Sequence, residues 1–142
     1  MVENKIYIDE IRTLIPHREP FLFLDMLINI VKLRNATGIK TFSAEEDFFK
    51  GHFPGQPVVP GVILIEMMAQ TAAALIAYSI KDETFDKIVY LMNIDNTKFR
   101  KPVFPNEKIF AKVNALRSKG RVWKFEGKLL DVKENKIAES IW

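Results

Sequence analysis

The hydrophobic pattern of the chain contains one segment that is apolar on nearly every side. Residues 62–80 hold a single charged side chain, Glu66. A helix of this kind must be enclosed by protein or by lipid, and at about 1.5 Å per residue it is nearly long enough to cross a bilayer. Glu66 and Gln70 lie well inside it and the sequence shows no second span. We therefore expect a core helix from Val62 to Ile80 rather than a membrane span.

The segments on both sides of this helix have strand patterns. From Arg121 onward, Trp123 and Phe125 alternate with Lys124 and Glu126, which predicts a sheet with one buried face. The connections between the last strands are too short for parallel crossovers, so the pairing should be antiparallel. The predicted strands are Phe21–Val31, Ala36–Phe42, Ile88–Ile94, Lys98–Val103, Lys108–Arg117, Arg121–Val132 and Lys136–Trp142, and Tyr7–Leu14 is predicted as a short helix or turn.

Together these patterns predict an α+β fold in which a curved antiparallel sheet wraps one long helix. No linker or internal repeat divides residues 1–142, so one domain is expected. The chain has no cysteine and only two histidines, so disulfides and thiolate chemistry are excluded, and neither a metal nor a cofactor is expected. Its polar N-terminus predicts a cytoplasmic location. The net charge of +3 is too small to indicate nucleic-acid binding.

The loop before the helix, residues 51–61, contains three prolines and three glycines. Such a mixture tends to hold one specific backbone path. It does not suit a phosphate, because prolines lack amide donors and no Gly-Lys-Ser/Thr ending follows. Pro60 and Gly61 open the helix, where the Gly61 amide has no helical partner and the helix dipole is positive. This geometry is typical of an oxyanion site.

His52 and Glu66 are the two side chains near this loop that can exchange protons at neutral pH. Burial without a cation raises the pKa of a carboxyl and keeps it protonated, as an acid catalyst requires. Gln70 follows Glu66 by four residues and can orient its carboxyl. The residues alone leave other interpretations open: His52 can be structural, and Glu66 with Gln70 can be a buried polar pair that satisfies itself.

Four stretches of the chain resemble the bacterial 3-hydroxyacyl-[acyl-carrier-protein] dehydratases of type II fatty acid synthesis, which have the hot-dog fold. The resemblance covers nearly the whole chain. Its motifs are Leu-Ile-Pro-His-Arg-Glu-Pro-Phe-Leu at residues 14–22, Gly-His-Phe-Pro-Gly-Gln-Pro-Val-Val-Pro-Gly-Val at 51–62, Glu-Met-Met-Ala-Gln at 66–70 and Phe-Arg-Lys-Pro-Val at 99–103.

The resemblance implies that a 3-hydroxyacyl chain on acyl carrier protein loses water to give the trans-2-enoyl thioester. It implies that His52 removes the C2 proton, Glu66 protonates the leaving hydroxyl, the Gly61 amide binds the enolate oxygen and Gln70 orients Glu66. It also implies that His52 and Glu66 meet across a homodimer interface, and that dimers gather into a hexamer. His17 belongs to a shared motif but is expected to be structural.

Several alternatives remain beside this interpretation. A related branch also isomerises the product to the cis-3 alkene and carries aspartate where this chain has Glu66, so Glu66 favours plain dehydration without deciding it. A hot-dog thioesterase fits the loop poorly. A non-catalytic acyl-binding or scaffold protein would not need all four of the residues that are intact here, His52, Glu66, Gly61 and Gln70. Acyl chain length, and supply to membrane lipid or to lipid A, cannot be inferred from the sequence.

Overall fold

The computed structural model of the chain describes residues 4–81 and 88–142. Its longest helix lies between two groups of strands along the sequence, as the pattern predicts. The elements are β1 Ile6–Tyr7, α1 Ile8–Leu14, β2 Met26–Val31, β3 Asn35–Thr41, a 3₁₀ turn Asp47–Lys50, α2 Gly61–Ile80, β4 Asp95–Phe99, β5 Lys108–Lys119, β6 Val122–Leu130 and β7 Lys136–Ile141.

The strands form one sheet in the order β1-β2-β3-β5-β6-β7-β4, and neighbouring strands pair antiparallel. Helix α2 lies against β2, β3, β5 and β6. Its fully buried Met67, Met68 and Leu75 join the same core as Ile109 and Leu129 from the sheet. Because this burial removes apolar surface from water, it is the main force that holds the helix in the sheet.

Helix α2 is apolar and long enough to pass the length and composition test for a membrane span. However, 67% of its most apolar window is buried inside the protein. Glycine in the facing strand allows this close packing, since a Cβ at Gly38 would overlap the side chain of Thr71. The prediction of a helix enclosed by an antiparallel sheet is therefore confirmed.

Most predicted strands differ from the observed ones by one or two residues at an end, and two differ by more. The strand predicted from Phe21 begins only at Met26, because the backbone at Phe21 and Phe23 is hydrogen-bonded to the Gln70 side chain instead of to a neighbouring strand. The strand predicted at Lys98–Val103 lies at Asp95–Phe99. Beyond it the amides of Arg100 and Lys101 both donate to the same Ile137 carbonyl, which interrupts the regular pairing.

The strand predicted at Ile88–Ile94 does not form in the single chain. Residues 88–94 lead into β4, which is the last strand of the sheet and has β7 as its neighbour. A strand needs a partner for its backbone groups, and the described residues form no β-ladder with this segment. Large apolar side chains are consequently left in solvent, with Tyr90 at 81% and Met92 at 78% exposed.

Candidate active site

The loop that carries His52 follows one closely hydrogen-bonded backbone path, as its composition predicts. The His52 amide donates to the Phe48 carbonyl, and its own carbonyl accepts from the Val58 amide. The Phe53 and Gln56 backbones bond each other across the tip of the loop. These contacts make the loop a fixed support for His52 rather than a mobile lid.

The contacts of His52 determine which of its nitrogens can act as a base. The Nδ1 atom lies 2.9 Å from the Val58 carbonyl oxygen. A carbonyl can only accept a hydrogen bond, so Nδ1 carries the proton of the neutral ring. The lone pair is therefore on Nε2. The half-buried ring also stacks on Phe53, with 4.1 Å between the ring centroids, which limits its rotation.

Helix α2 begins at Gly61, directly after this loop. The Pro60 carbonyl accepts from the Ile63 and Leu64 amides, while the Gly61 amide donates to no backbone group of the described residues. A Cβ at Gly61 would lie 2.9 Å from the ring of Phe99. A side chain at this position would have to displace the Phe99 ring, whereas glycine leaves the ring close to the helix start and the Gly61 amide without a backbone acceptor among the described residues.

Glu66 lies on α2, and its side chain is 19% exposed. Burial raises the pKa of its carboxyl above the ordinary value, and a hydrogen bond from Gln70 opposes part of that rise. The Gln70 Nε2 donates to Glu66 Oε2 over 3.2 Å. The raised pKa increases the protonated fraction of the carboxyl, which is the form that a general acid requires.

Gln70 is 1% exposed, and its amide group is hydrogen-bonded both to Glu66 and to the backbone. Its Oε1 accepts from the Phe23 amide over 2.8 Å, and its Nε2 also donates to the Phe21 carbonyl over 3.0 Å. The side chain cannot flip without reversing donor and acceptor at both backbone groups. Gln70 therefore connects the carboxyl of Glu66 to the segment before β2.

His17 lies closer to Glu66 than its expected structural role would require. Its Nε2 is 3.9 Å from Glu66 Oε2, and burial together with Arg18 lowers the pKa of its ring. Both residues line a cavity of about 160 Å³ along one face of α2. The lining residues are His17, Glu66, Ala69, Gln70, Ala73, Val89, Tyr90 and Leu91.

The structure brings together only part of the predicted set within one chain. Glu66 and Gln70 share the cavity, whereas His52 and Gly61 are not among its lining residues. The apolar wall formed by residues 89–91 was not expected at the site, and the sequence gives no signal for it beyond its hydrophobicity. A larger groove of about 380 Å³ lies on the exposed face of β5–β7. It contains none of the predicted site residues, and its mixed lysine, glutamate and asparagine lining is typical of a solvated sheet face.

Metal ligands are not grouped at this site. Across residues 4–81 and 88–142, no three histidine, aspartate or glutamate side chains come together in a way that could hold a metal ion. The described residues around the loop and the cavity include three side chains that can exchange protons, His17, His52 and Glu66, and the Gly61 amide is a further hydrogen-bond donor.

Comparison with known proteins shows the family of the chain. The FabA-like domain family matches residues 15–140. A protein of Rhodospirillum rubrum named 3-hydroxyacyl-[acyl-carrier-protein] dehydratase FabZ is 45% identical over 139 residues, which cover 98% of this chain and 86% of that one. The protein of the same name from Paramagnetospirillum magneticum is 47% identical over 122 residues, or 86% of this chain and 76% of that one.

Solved structures with low sequence identity to this chain share its fold. The dehydratase heterocomplex ApeI:P from Xenorhabdus doucetiae matches with a TM-score of 0.76 at 17% identity, over 92% of this chain and 87% of that one. The virulence protein Cj0977 from Campylobacter jejuni matches with a TM-score of 0.64 at 18% identity, over 94% and 85%. The antiparallel sheet wrapped around α2 is thus the hot-dog fold that the resemblance implied. With a family match over most of its length and relatives near 45% identity, the chain belongs to the FabA-like 3-hydroxyacyl-[acyl-carrier-protein] dehydratases.

Proposed function

We propose that the chain removes water from (3R)-3-hydroxyacyl-[acyl-carrier-protein] to give trans-2-enoyl-[acyl-carrier-protein] in type II fatty acid biosynthesis. The observation that carries this proposal is the Glu66 carboxyl, whose pKa is raised by burial and which lies beside a cavity. It lies near the start of a helix whose first amide has no backbone partner among the described residues. Dehydration of a 3-hydroxyacyl thioester needs an acid for the hydroxyl and a donor for the carbonyl, and these two groups supply them.

His52 is the proposed base. Its Nε2 lone pair takes the proton from C2, and the electrons of that C–H bond move toward the thioester carbonyl. The negative charge that grows on the oxygen is stabilised by the Gly61 amide and by the positive end of the α2 dipole. The hydrogen bond from Nδ1 to the Val58 carbonyl stabilises the imidazolium that results, because a carbonyl oxygen attracts the positive ring.

Glu66 is the proposed acid. Its proton passes to the C3 hydroxyl, the C3–O bond breaks, and the enolate electrons form the C2=C3 double bond. Water and the enoyl thioester leave, with the C2 proton on His52 and Glu66 ionised. Return of that proton from His52 to Glu66 through water restores the starting state. Gln70 keeps the carboxyl directed into the cavity throughout.

The complete site is proposed to need two chains. His52 does not line the cavity of Glu66 in the single chain. Residues 88–94, next to the sheet-edge strand β4, leave a run of large apolar side chains exposed, and such runs mark interfaces in soluble proteins. A second copy that pairs along this segment would continue the sheet and bury those side chains. We propose a homodimer on this basis. A hexamer of three dimers stays a prediction from the resemblance, and a cytoplasmic location stays a prediction from the polar N-terminus.

Hydration of a crotonoyl thioester, followed by the loss of enoyl absorbance, tests the base and the acid. We expect His52→Ala and Glu66→Gln each to lower the rate by about 10²–10⁴-fold, as the loss of a general acid or base normally does. Gln56→Ala is the matched control, because it changes an exposed side chain in the same loop. A rate for His52→Ala within about tenfold of the wild-type rate would show that the base is another group.

Mixing the two inactive variants tests whether the site is shared. A dimer of one His52→Ala chain and one Glu66→Gln chain has one site with both groups intact. Random exchange should therefore restore about a quarter of the wild-type rate, since about half of the dimers are mixed. Different affinity tags on the two variants show whether mixed dimers have formed. Mixed dimers without activity would mean that the site lies within one chain, where His17 is the histidine beside Glu66.

The product distinguishes plain dehydration from dehydration with isomerisation. We expect the trans-2-enoyl thioester alone when the 3-hydroxyacyl substrate is offered on acyl carrier protein, because Glu66 is the residue that favours this branch. Separation of the trans-2 and cis-3 products by chromatography measures the ratio. Accumulation of the cis-3 isomer would assign the chain to the isomerising branch while leaving the base and the acid in place.

A further inference from the structure

His17 is a buried titratable group that the proposed mechanism does not use. It lies between α1 and β2, and its Nε2 is 3.9 Å from Glu66 Oε2. The two side chains are 18% and 19% exposed, respectively, and both line the cavity along α2. A histidine in the same cavity as the carboxyl of a proposed acid catalyst affects the electrostatic environment of that carboxyl.

The position of the proton on His17 follows from its surroundings. Its Nδ1 is buried and has no hydrogen-bond partner among the described residues. A buried N–H without an acceptor costs more than a buried lone pair without a donor, and orphan N–H groups are correspondingly rare. Burial and the neighbouring Arg18 lower the pKa of the ring, which favours its neutral form. The single proton of the neutral ring is therefore on Nε2, the nitrogen that lies 3.9 Å from Glu66 Oε2.

This arrangement distinguishes the two oxygens of the Glu66 carboxyl. Oε2 accepts the hydrogen bond from Gln70 Nε2 and is also the carboxyl oxygen 3.9 Å from His17 Nε2, so two N–H groups lie near the same oxygen. An oxygen that faces two donors is the carbonyl oxygen of a protonated carboxyl, and the proton is then on Oε1. The 3.9 Å separation is longer than a hydrogen bond, and active-site contacts of this kind tighten when the substrate binds.

We propose that His17 is a positioning residue for Glu66, whose Nε2–H fixes Oε2 as the carbonyl oxygen and so directs the acid proton on Oε1 toward the C3 hydroxyl of the substrate. This inference rests on the proposed role of Glu66 as the acid. Two other charged or titratable residues lie near the pair among the residues that the structure describes. Arg18 is beside His17 with its guanidinium bonded to backbone carbonyls, and Tyr90 also lines the cavity.

Two substitutions of nearly equal shape separate positioning from packing. Gln at position 17 keeps an N–H donor near the site of Nε2, whereas Met has the same length and no donor. Because a donor facing a carboxyl favours its ionised form, removing it raises the pKa of Glu66. We expect His17→Met to lower kcat about tenfold, the equivalent of one lost hydrogen bond, with a smaller change in KM. His17→Gln should recover most of that loss.

The infrared C=O band of the protonated carboxyl gives a readout that does not depend on activity. The band that disappears in Glu66→Gln belongs to Glu66, and its intensity against pH reports the titration. We expect the titration to move to higher pH in His17→Met and to stay close to wild type in His17→Gln. His17→Leu replaces His17→Met if the latter does not fold, as judged by elution volume and thermal midpoint.

Two outcomes would overturn the proposal. One is a His17→Met protein with the titration and kcat of the wild type, since His17 then has no influence on Glu66. The other is an equal loss of kcat in the Gln and Met variants without any movement of the titration, which indicates a packing role alone. Failure of the proposed function would give a different result from these two. Glu66→Gln would then retain activity, whatever the activities of the His17 variants.

Discussion

Replacement of Gln70 by leucine should destabilise the fold and weaken the proposed acid at the same time. The side chain is 1% exposed and makes three hydrogen bonds, from the Phe23 amide and to the Phe21 carbonyl and Glu66 Oε2. Leucine has a similar volume and can make none of them. The substitution therefore removes polar partners without opening a large cavity.

The magnitude of this effect follows from what is left behind. Phe23 is buried, so its amide loses a partner that water cannot readily replace, at about 1–3 kcal/mol. The Phe21 carbonyl and Glu66 are partly exposed and can bond water, which reduces their cost. Burial of the more apolar leucine offsets part of the loss. We expect a net loss of about 2 kcal/mol, or roughly 4–8 °C in the thermal midpoint for a chain of this size.

Thermal unfolding of Gln70→Leu and Thr71→Val at equal protein concentration tests this estimate. Thr71 is also fully buried on α2, but its hydroxyl bonds a carbonyl within the same helix. Valine is nearly isosteric there, so the control should cost less than about 1 kcal/mol. In hydration assays Gln70→Leu should be about tenfold slower, because Glu66 loses its orienting donor. If the two midpoints agree within about 1 °C, the contacts of Gln70 do not stabilise the segment before β2.

Three further predictions concern other parts of the molecule. Gly61→Ala should slow hydration, since the new Cβ would lie 2.9 Å from the Phe99 ring and displace the helix start; kinetics at saturating substrate measure this. At pH values above 4.5, Glu66→Gln should have a higher thermal midpoint than the wild type. Because the folded-state pKa of Glu66 is raised, its stabilising contribution is present below the unfolded-state pKa and is lost as the pH rises through the folded-state pKa. Thermal unfolding at several pH values tests the sign of this difference. Asp131→Asn should lower the thermal midpoint at neutral pH, because the 2.6 Å ion pair with Lys101 holds the pKa of Asp131 below its ordinary value. The difference in midpoint between variant and wild type should narrow below pH 3.8, and thermal unfolding in acid and in neutral buffer measures it.

The parts of the fold that the sequence predicts are those with a local pattern. The apolar run in α2 and the alternation around Trp123 and Phe125 are decided by burial on one or all sides, and both elements lie where expected. The segment Ile88–Ile94 has the composition of a strand but joins no β-ladder of the described residues. Pairing is a property of two segments, so one segment's composition cannot establish it.

The residues of the candidate site also divide into those that the sequence predicts and those that only the structure brings together. Gly61 could be placed at a helix start from sequence because proline and glycine determine local backbone geometry. The approach of His17 to Glu66, residues 49 positions apart in the sequence, depends on how the segment before β2 packs against α2. No local signal distinguishes this histidine from an exposed one. The short motif at residues 14–22 drew attention to His17, but only the three-dimensional structure relates it to the carboxyl.

The contacts of Gln70 explain why that segment approaches the helix at all. Phe21 and Phe23 lie where a strand was predicted, but their backbone groups bond the glutamine side chain instead. The same amide group that interrupts the sheet also donates to Glu66. Stability and acid chemistry are therefore coupled through one side chain: a substitution that improves local strand pairing at residues 21–25 would release Gln70, and with it the orientation of Glu66. This coupling is a physical reason for the short β2 and for the irregular segment that precedes it.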